Sequence, residues 1–140
     1  MTIEDVNTVA EALVNHLKAN GVGGTDGVVG FYPNDTVPTS NLPESFVEVV
    51  GNGALSTPVS GFGIRSCSLL LILNVKLPGN GAANSVRESY LLNRISNAVK
   101  NPFVRGSYHF SLDKKNLVYS GRSLYAGYSS KTMNFNVKIY

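Results

Sequence analysis

Arg65-Ser66-Cys67-Ser68-Leu69-Leu70-Leu71-Ile72-Leu73-Asn74-Val75-Lys76-Leu77 is the stretch that decides the fold. Successive side chains of a strand point to opposite faces, so odd and even positions have to be read separately. The odd set, Cys67, Leu69, Leu71, Leu73, Val75 and Leu77, is apolar throughout and predicts a core face. The even set, Ser66, Ser68, Leu70, Ile72, Asn74 and Lys76, is polar at both ends and apolar in the middle. A sheet with one solvated face has no use for Leu70 and Ile72 there. The pattern therefore predicts a second face that is partly covered, by a neighbouring subunit or by another element.

Downstream, Pro78-Gly79-Asn80-Gly81-Ala82-Ala83-Asn84 breaks the strand, and Ser85 with Glu88 forms an S-x-x-E capping box. Val86, Tyr90, Leu91, Ile95, Ala98 and Val99 then recur at helical spacing, with Arg87 and Arg94 on the other side, until Asn101-Pro102 ends the helix. Short strand signals follow at Tyr108 to Leu112 and Leu117 to Tyr119, with a turn at Ser120-Gly121. The last strand, Thr132 to Tyr140, alternates Met133, Phe135, Val137 and Ile139 against Thr132, Asn134, Asn136 and Lys138, one face core and the other polar.

Upstream, Thr2 and Asp5 resemble a capping box. Ile3, Val6, Ala10, Leu13, Val14 and Leu17 make one helical stripe, which Asn20-Gly21 stops with a left-handed residue. His16, near that helix end, reads as an ordinary surface residue. Gly21 to Gly27 is a turn, Val28 to Tyr32 a short strand, and Pro33 to Pro43 a loop whose three prolines forbid regular pairing. Phe46 to Val50 is a strand that ends at Gly51-Asn52-Gly53. The order predicts an α+β two-layer sandwich: a mostly antiparallel sheet of about four main strands with two helices packed on one face, forming a single domain over residues 1–140.

A chain of 140 residues suits one core. The lone Cys67 forms no intrachain disulfide and reads as a small buried filler. The acidic Glu4-Asp5 start is unlike a signal peptide, and no segment has the ~20 apolar residues of a membrane span, which predicts a cytoplasmic product with no membrane partner. Charge is unevenly spread. Residues 1–60 net −6 from seven acids and one lysine, and residues 61–140 net +9 from eleven bases and two acids. That asymmetry suits a nucleic-acid-facing or self-complementary surface, but the bases stand singly without interleaved aromatics, so sequence-specific DNA readout is not supported.

The signals of chemistry are weak. Gly79-x-Gly81-x-x-Asn84 lacks the third glycine of a dinucleotide fingerprint, and Lys100-Asn101 stand where its carboxylate belongs. His109 and Asp113 are spaced along a strand and its turn, no G-x-S-x-G elbow exists, and no His, Cys or carboxylate set has metal-ligand spacing. No catalytic, cofactor or metal residues are assigned, and the chain reads as a non-enzyme.

The element order resembles the phage tail terminator proteins, also known as gpU-like or minor capsid proteins. The matching elements are Ile3 to Asn20, Phe46 to Val50, Arg65 to Leu77, Ser85 to Lys100 and Met133 to Ile139. The resemblance implies a homohexameric ring in the virion, assembled in the host cytoplasm. It would cap the head-proximal end of the tail tube, stop tube polymerisation and meet a head-completion or connector protein, with DNA passing through its lumen. The partners implied are further copies of the chain and the major tail tube protein. Asp35, Glu44, Glu48, Leu70, Ile72, Arg87, Arg94, Lys114, Lys115 and Arg122 are the candidate ring and partner contacts. The alternatives are another neck protein, for tail or head completion, and a small nucleotide-binding enzyme.

Overall fold

The computed structural model describes residues 3–33, 36–51, 65–77, 81–113, 119–121 and 125–140. The expected cap at Thr2, the turns at Asn52-Gly53 and Pro78-Gly79-Asn80, and the strand start at Leu117 lie outside them. Helix α1 (Ile3–Ala19) is followed by strands β1 (Gly30–Pro33), β2 (Ser45–Gly51) and β3 (Arg65–Lys76). Helix α2 (Gly81–Val99) precedes β4 (Phe103–Arg105), β5 (Tyr108–Leu112), β6 (Tyr119–Gly121) and β7 (Tyr128–Ile139).

The expected two-layer sandwich built on about four main strands is not what forms. Six strands run in the order β1-β2-β3-β7-β5-β4 and curl into a half-barrel, and β6 pairs with β7 beside them. The long β7 pairs with β3 from Tyr128 to Ile139 along one edge, while its other edge is shared between β5 and β6. Strands of three to five residues are too short to show periodicity in sequence, which is why β1, β4 and β6 do not register as main strands. The expected antiparallel pairing holds except at β1 and β2, which run parallel.

Register places Val47 beside Leu73 and Val49 beside Leu71, then Leu71 beside Met133, Leu69 beside Phe135 and Cys67 beside Val137. All of these residues are buried and share one face, the core face. Leu77 leaves the row: β3 ends at Lys76, and the Leu77 side chain is 46% exposed. Helix α1 lays Val9, Ala10, Leu13, Val14 and Leu17 on this face, and α2 lays Leu91, Ile95 and Val99 there.

Helix α1 stops as its Asn20-Gly21 pair predicts. Gly21 takes φ +76°, its N–H donates to Lys18 O (3.4 Å) and Val22 N–H donates to Leu17 O (3.1 Å). This is a Schellman end, with the buried Val22 returning to the core. Helix α2 departs from its expected boundaries. It begins at Gly81, so Ser85 lies inside the helix and is not its cap. Ala82 and Ala83 are strong helix formers, and they carry the helix through a stretch whose glycine and asparagines read as a turn. Val86 is 72% exposed and Tyr90 44% exposed, contrary to the expected apolar stripe. At about 100° per residue Val86 sits roughly 140° around the helix from Leu91, whereas Leu91, Ile95 and Val99 stay within one face. Glu88 falls on that inward face. Its carboxylate accepts a hydrogen bond from Ser129 Oγ and lies 3.6 Å from Lys131 Nζ, which ties α2 to β7.

Candidate functional site

The second face of the sheet carries the even positions of β3, and register extends it sideways. Glu48, Ile72 and Thr132 form one row, Val50, Leu70 and Asn134 the next, and Ser68 with Asn136 another. Ser66, Lys138, His109 and Val104 form the last row, across β3, β7, β5 and β4.

One end of this face is covered by the chain itself. Phe46 is fully buried and meets Tyr32, Tyr125 and Tyr128 edge-on at centroid distances of 5.7, 5.2 and 5.4 Å. Beside it the buried Glu48 carboxylate accepts hydrogen bonds from Asn74 Nδ2 (3.3 Å) and from the Tyr125 hydroxyl. A buried carboxylate needs such donors, since an unpaired one costs several kcal/mol. Burial, the hydrogen bond to Glu48 and the charge of Glu48 all push the Tyr125 hydroxyl well above the usual phenol range. Tyr128 donates to Pro43 O (2.7 Å) and Leu42 O (3.2 Å), and Lys76 N–H donates to Glu44 O (2.8 Å), which holds the Leu42-Pro43-Glu44 strap over this end. Burial, with Glu44 and Tyr32 nearby, raises the Tyr128 hydroxyl as well.

The middle of the face differs. Val50, Leu70 and Ile72 are half-buried, and across from Leu70 the Oδ1 of Asn134 is buried without a hydrogen-bond partner among the described residues. Most buried polar atoms in native structures are paired, so an unpaired acceptor beside apolar side chains marks a position where a donor is missing. The far end is open and mixed, with Ser66, Asn136, Lys138 and His109 exposed beside the exposed Val104, and His109 packed edge-on against Tyr140 at 4.4 Å.

The candidate contact residues do not gather in one place. Leu70 and Ile72 occupy the middle of the second face, Glu44 is exposed on the strap, and Glu48 is buried in the hydrogen bonds just described rather than offered to a partner. Arg87 and Arg94 lie on the other side of the sheet and are bound within the chain. Arg94 Nε donates to Gly21 O (3.1 Å), its Nη2 to Gly21 O and to Gly23 O (3.3 Å), and its Nη1 to Thr25 O (3.4 Å) and the Tyr90 hydroxyl (2.9 Å). Arg87 donates to Asp26 O (2.9 Å) and Gly27 O (3.3 Å). The two guanidinium groups therefore close the loop after α1, whose carbonyls lie at the negative end of that helix. A Cβ at Gly27 would come within 2.4 Å of Val22 O, so the loop closes this tightly only with glycine there. Asp35, Lys114, Lys115 and Arg122 lie outside the described residues.

His16 is not the surface residue its position suggests. It is 9% exposed and stacks on Phe103 at 3.6 Å with the rings 3° from parallel. The signal missed in the sequence is the pairing of a helix-end histidine with an aromatic, Phe103, directly after the second helix.

No catalytic constellation assembles among the described residues. His109 and Asp113 stand four residues apart, roughly 13 Å along an extended chain. No group of three or more His, Cys, Asp or Glu side chains among the described residues could hold a metal ion. Burial pushes the Cys67 thiol up to about 11, away from a reactive thiolate. Among the described residues no helix is long and apolar enough to cross a membrane. No protein-family model matches the chain, and a comparison with curated proteins finds no match.

Proposed function

We propose that this chain is a structural ring subunit of a phage tail, of the tail terminator type, which closes the head-proximal end of the tail tube and presents a joining surface to the head. The observation that carries the reading is the middle of the second face. There Asn134, opposite Leu70 in register with Val50 beyond it and Ile72 one row away, has a buried Oδ1 with no hydrogen-bond partner among the described residues, between an end the chain covers itself and an open end. Such a strip suits a second copy that brings apolar side chains and one hydrogen-bond donor. Opposite net charge in the two parts of the chain suits head-to-tail contacts around a closed ring, in which one surface of each copy meets a different surface of the next. In this reading the ring is a homohexamer, its other partners are the tail tube protein and a head-completion protein, and DNA passes through the lumen without being read.

Native mass measurement of the purified chain with and without assembled tail tube tests the proposal. The expected result is a ring that forms on the tube or in concentrated solution and is lost on Leu70→Asp. A chain that remains monomeric at every concentration and in the presence of tube would reject it.

A further inference from the structure

His16 stands at the junction of three elements. Its Nε2 lies 2.9 Å from the carbonyl of Ala98 near the end of α2, and its Nδ1 lies 3.2 Å from Arg105 Nε on β4. A carbonyl only accepts and a guanidinium only donates, so the proton sits on Nε2 and the ring is neutral. Asn20 holds the same turn from α1, donating to His16 O at 2.8 Å with its Nδ2 3.4 Å from Nδ1. The ring stacks on Phe103, which stacks in turn on Phe110 at 4.9 Å. The edge strand β4 is three residues long and pairs with β5 alone, so its hold on the molecule depends on contacts such as these.

We propose that His16 is a proton-operated latch: as a neutral ring it ties the ends of α1 and α2 to the edge strand β4, and uptake of one proton from solvent at Nδ1 releases β4 while the rest of the sheet stays folded. Protonation turns Nδ1 from acceptor to donor, which breaks the Arg105 hydrogen bond and sets two cations face to face at 3.2 Å. The charged and titratable groups on the surrounding elements do not offset this. Lys18 on α1 reaches over the Phe31 ring, 5.5 Å from its centroid, Lys100 beyond α2 is exposed, and Tyr108 on β5 is the register partner of Arg105. Among the described residues no carboxylate is paired with His16 or Arg105. Burial, opposed by the hydrogen bond to Ala98 and reinforced by the Arg105 charge, holds the imidazole below its ordinary value of 6.5, so the latch is closed at neutral pH and opens on acidification.

The test uses the full chain, with long-range proton–nitrogen NMR of the imidazole and amide hydrogen exchange followed from about pH 7.5 to about pH 4.5, across the histidine range. The expected spectrum is an Nε2–H tautomer at neutral pH that titrates below 6.5. Over that titration the β4 amides that are hydrogen-bonded to β5, alternate residues of Phe103–Arg105, should lose protection by about tenfold or more relative to amides of β3 and β7, after correction for intrinsic rates. His16→Gln, which can still donate to Ala98 and accept from Arg105 but cannot titrate in this range, should keep β4 protected throughout. Should that variant not fold, Arg105→Met takes its place: without the neighbouring cation the imidazole should titrate higher, and protonation should no longer release β4 selectively. An Nδ1–H tautomer, titration at or above 6.5, a uniform loss of protection over the whole sheet, or the same loss in His16→Gln would each overturn the proposal.

Discussion

Leu70 and Leu71 are adjacent residues of the same type in the same strand, yet they face opposite ways, so truncating each in turn isolates the effect of side. Leu71 is fully buried between its register partners Val49 and Met133. Leu71→Ala removes three carbon groups at about 0.8 kcal/mol each and leaves a cavity that α2 and the sheet fill only partly, for a total of about 3 kcal/mol. Against the 5–15 kcal/mol typical of a domain, that loss should lower the melting temperature by about 10 °C for a chain near this length. Leu70 lies between Val50 and Asn134 on the second face and is half-buried. Its truncation in dilute solution should cost about 1 kcal/mol or less, because solvent or a small shift can fill the space. Thermal and urea denaturation followed by circular dichroism, at two protein concentrations, measures both, and the higher concentration reports any stabilisation by self-association. Equal losses at the two positions, or a larger loss at Leu70, would refute the assignment of faces.

Glu88 anchors α2 to β7 and does not cap it, so Glu88→Ala should destabilise by about 1–2 kcal/mol, and a double-mutant cycle with Ser129→Ala should show coupling of about 0.5 kcal/mol or more. Zero coupling would return Glu88 to a local helix role. Arg94→Ala should cost about 0.5–1.5 kcal/mol and speed proteolytic cleavage within residues 21–27, and Arg94→Lys should not restore protection, because one ammonium cannot span Gly21, Gly23 and Thr25. Cleavage unchanged in both variants would show that the guanidinium does not hold the loop. Tyr125 retains its proton in the folded state above the ordinary phenol value of 10.0, so its contribution is fully present below that pH and is lost as pH rises above it. Tyr125→Phe should flatten this alkaline loss while costing about 1 kcal/mol at neutral pH through the donor that Glu48 gives up, and an unchanged alkaline limb in melts would count against the pair.

The strongest periodicities are legible in the sequence. The parity of Cys67 to Val75 identified the core face, and Asn20-Gly21 located the end of α1. What escaped it depends on contacts between segments distant in the chain. Tyr128 to Lys131 looks too polar to begin a strand, and the structure accommodates it because Glu88 meets Ser129 and Lys131 on one face while the strap beyond β1 meets Tyr128 on the other. Arg87 and Arg94 look like a solvated helix face until the loop after α1 brings its carbonyls to them. Glu48 looks like a surface acid on an alternating strand, and its donors Asn74 and Tyr125 lie 26 and 77 residues away. Cover of the second face is expected at Leu70 and Ile72, which stay half-buried, whereas the cover the chain itself supplies lies at Phe46, under Tyr125 and Tyr128.

Electron microscopy of tail tube protein polymerised with and without this chain is the decisive test of the proposed ring. The chain should be found as a ring at one end of each tube and arrest elongation, and Leu70→Asp, although folded, should leave the tubes uncapped and over-long. Tubes of unchanged length with no added density at either end would contradict it.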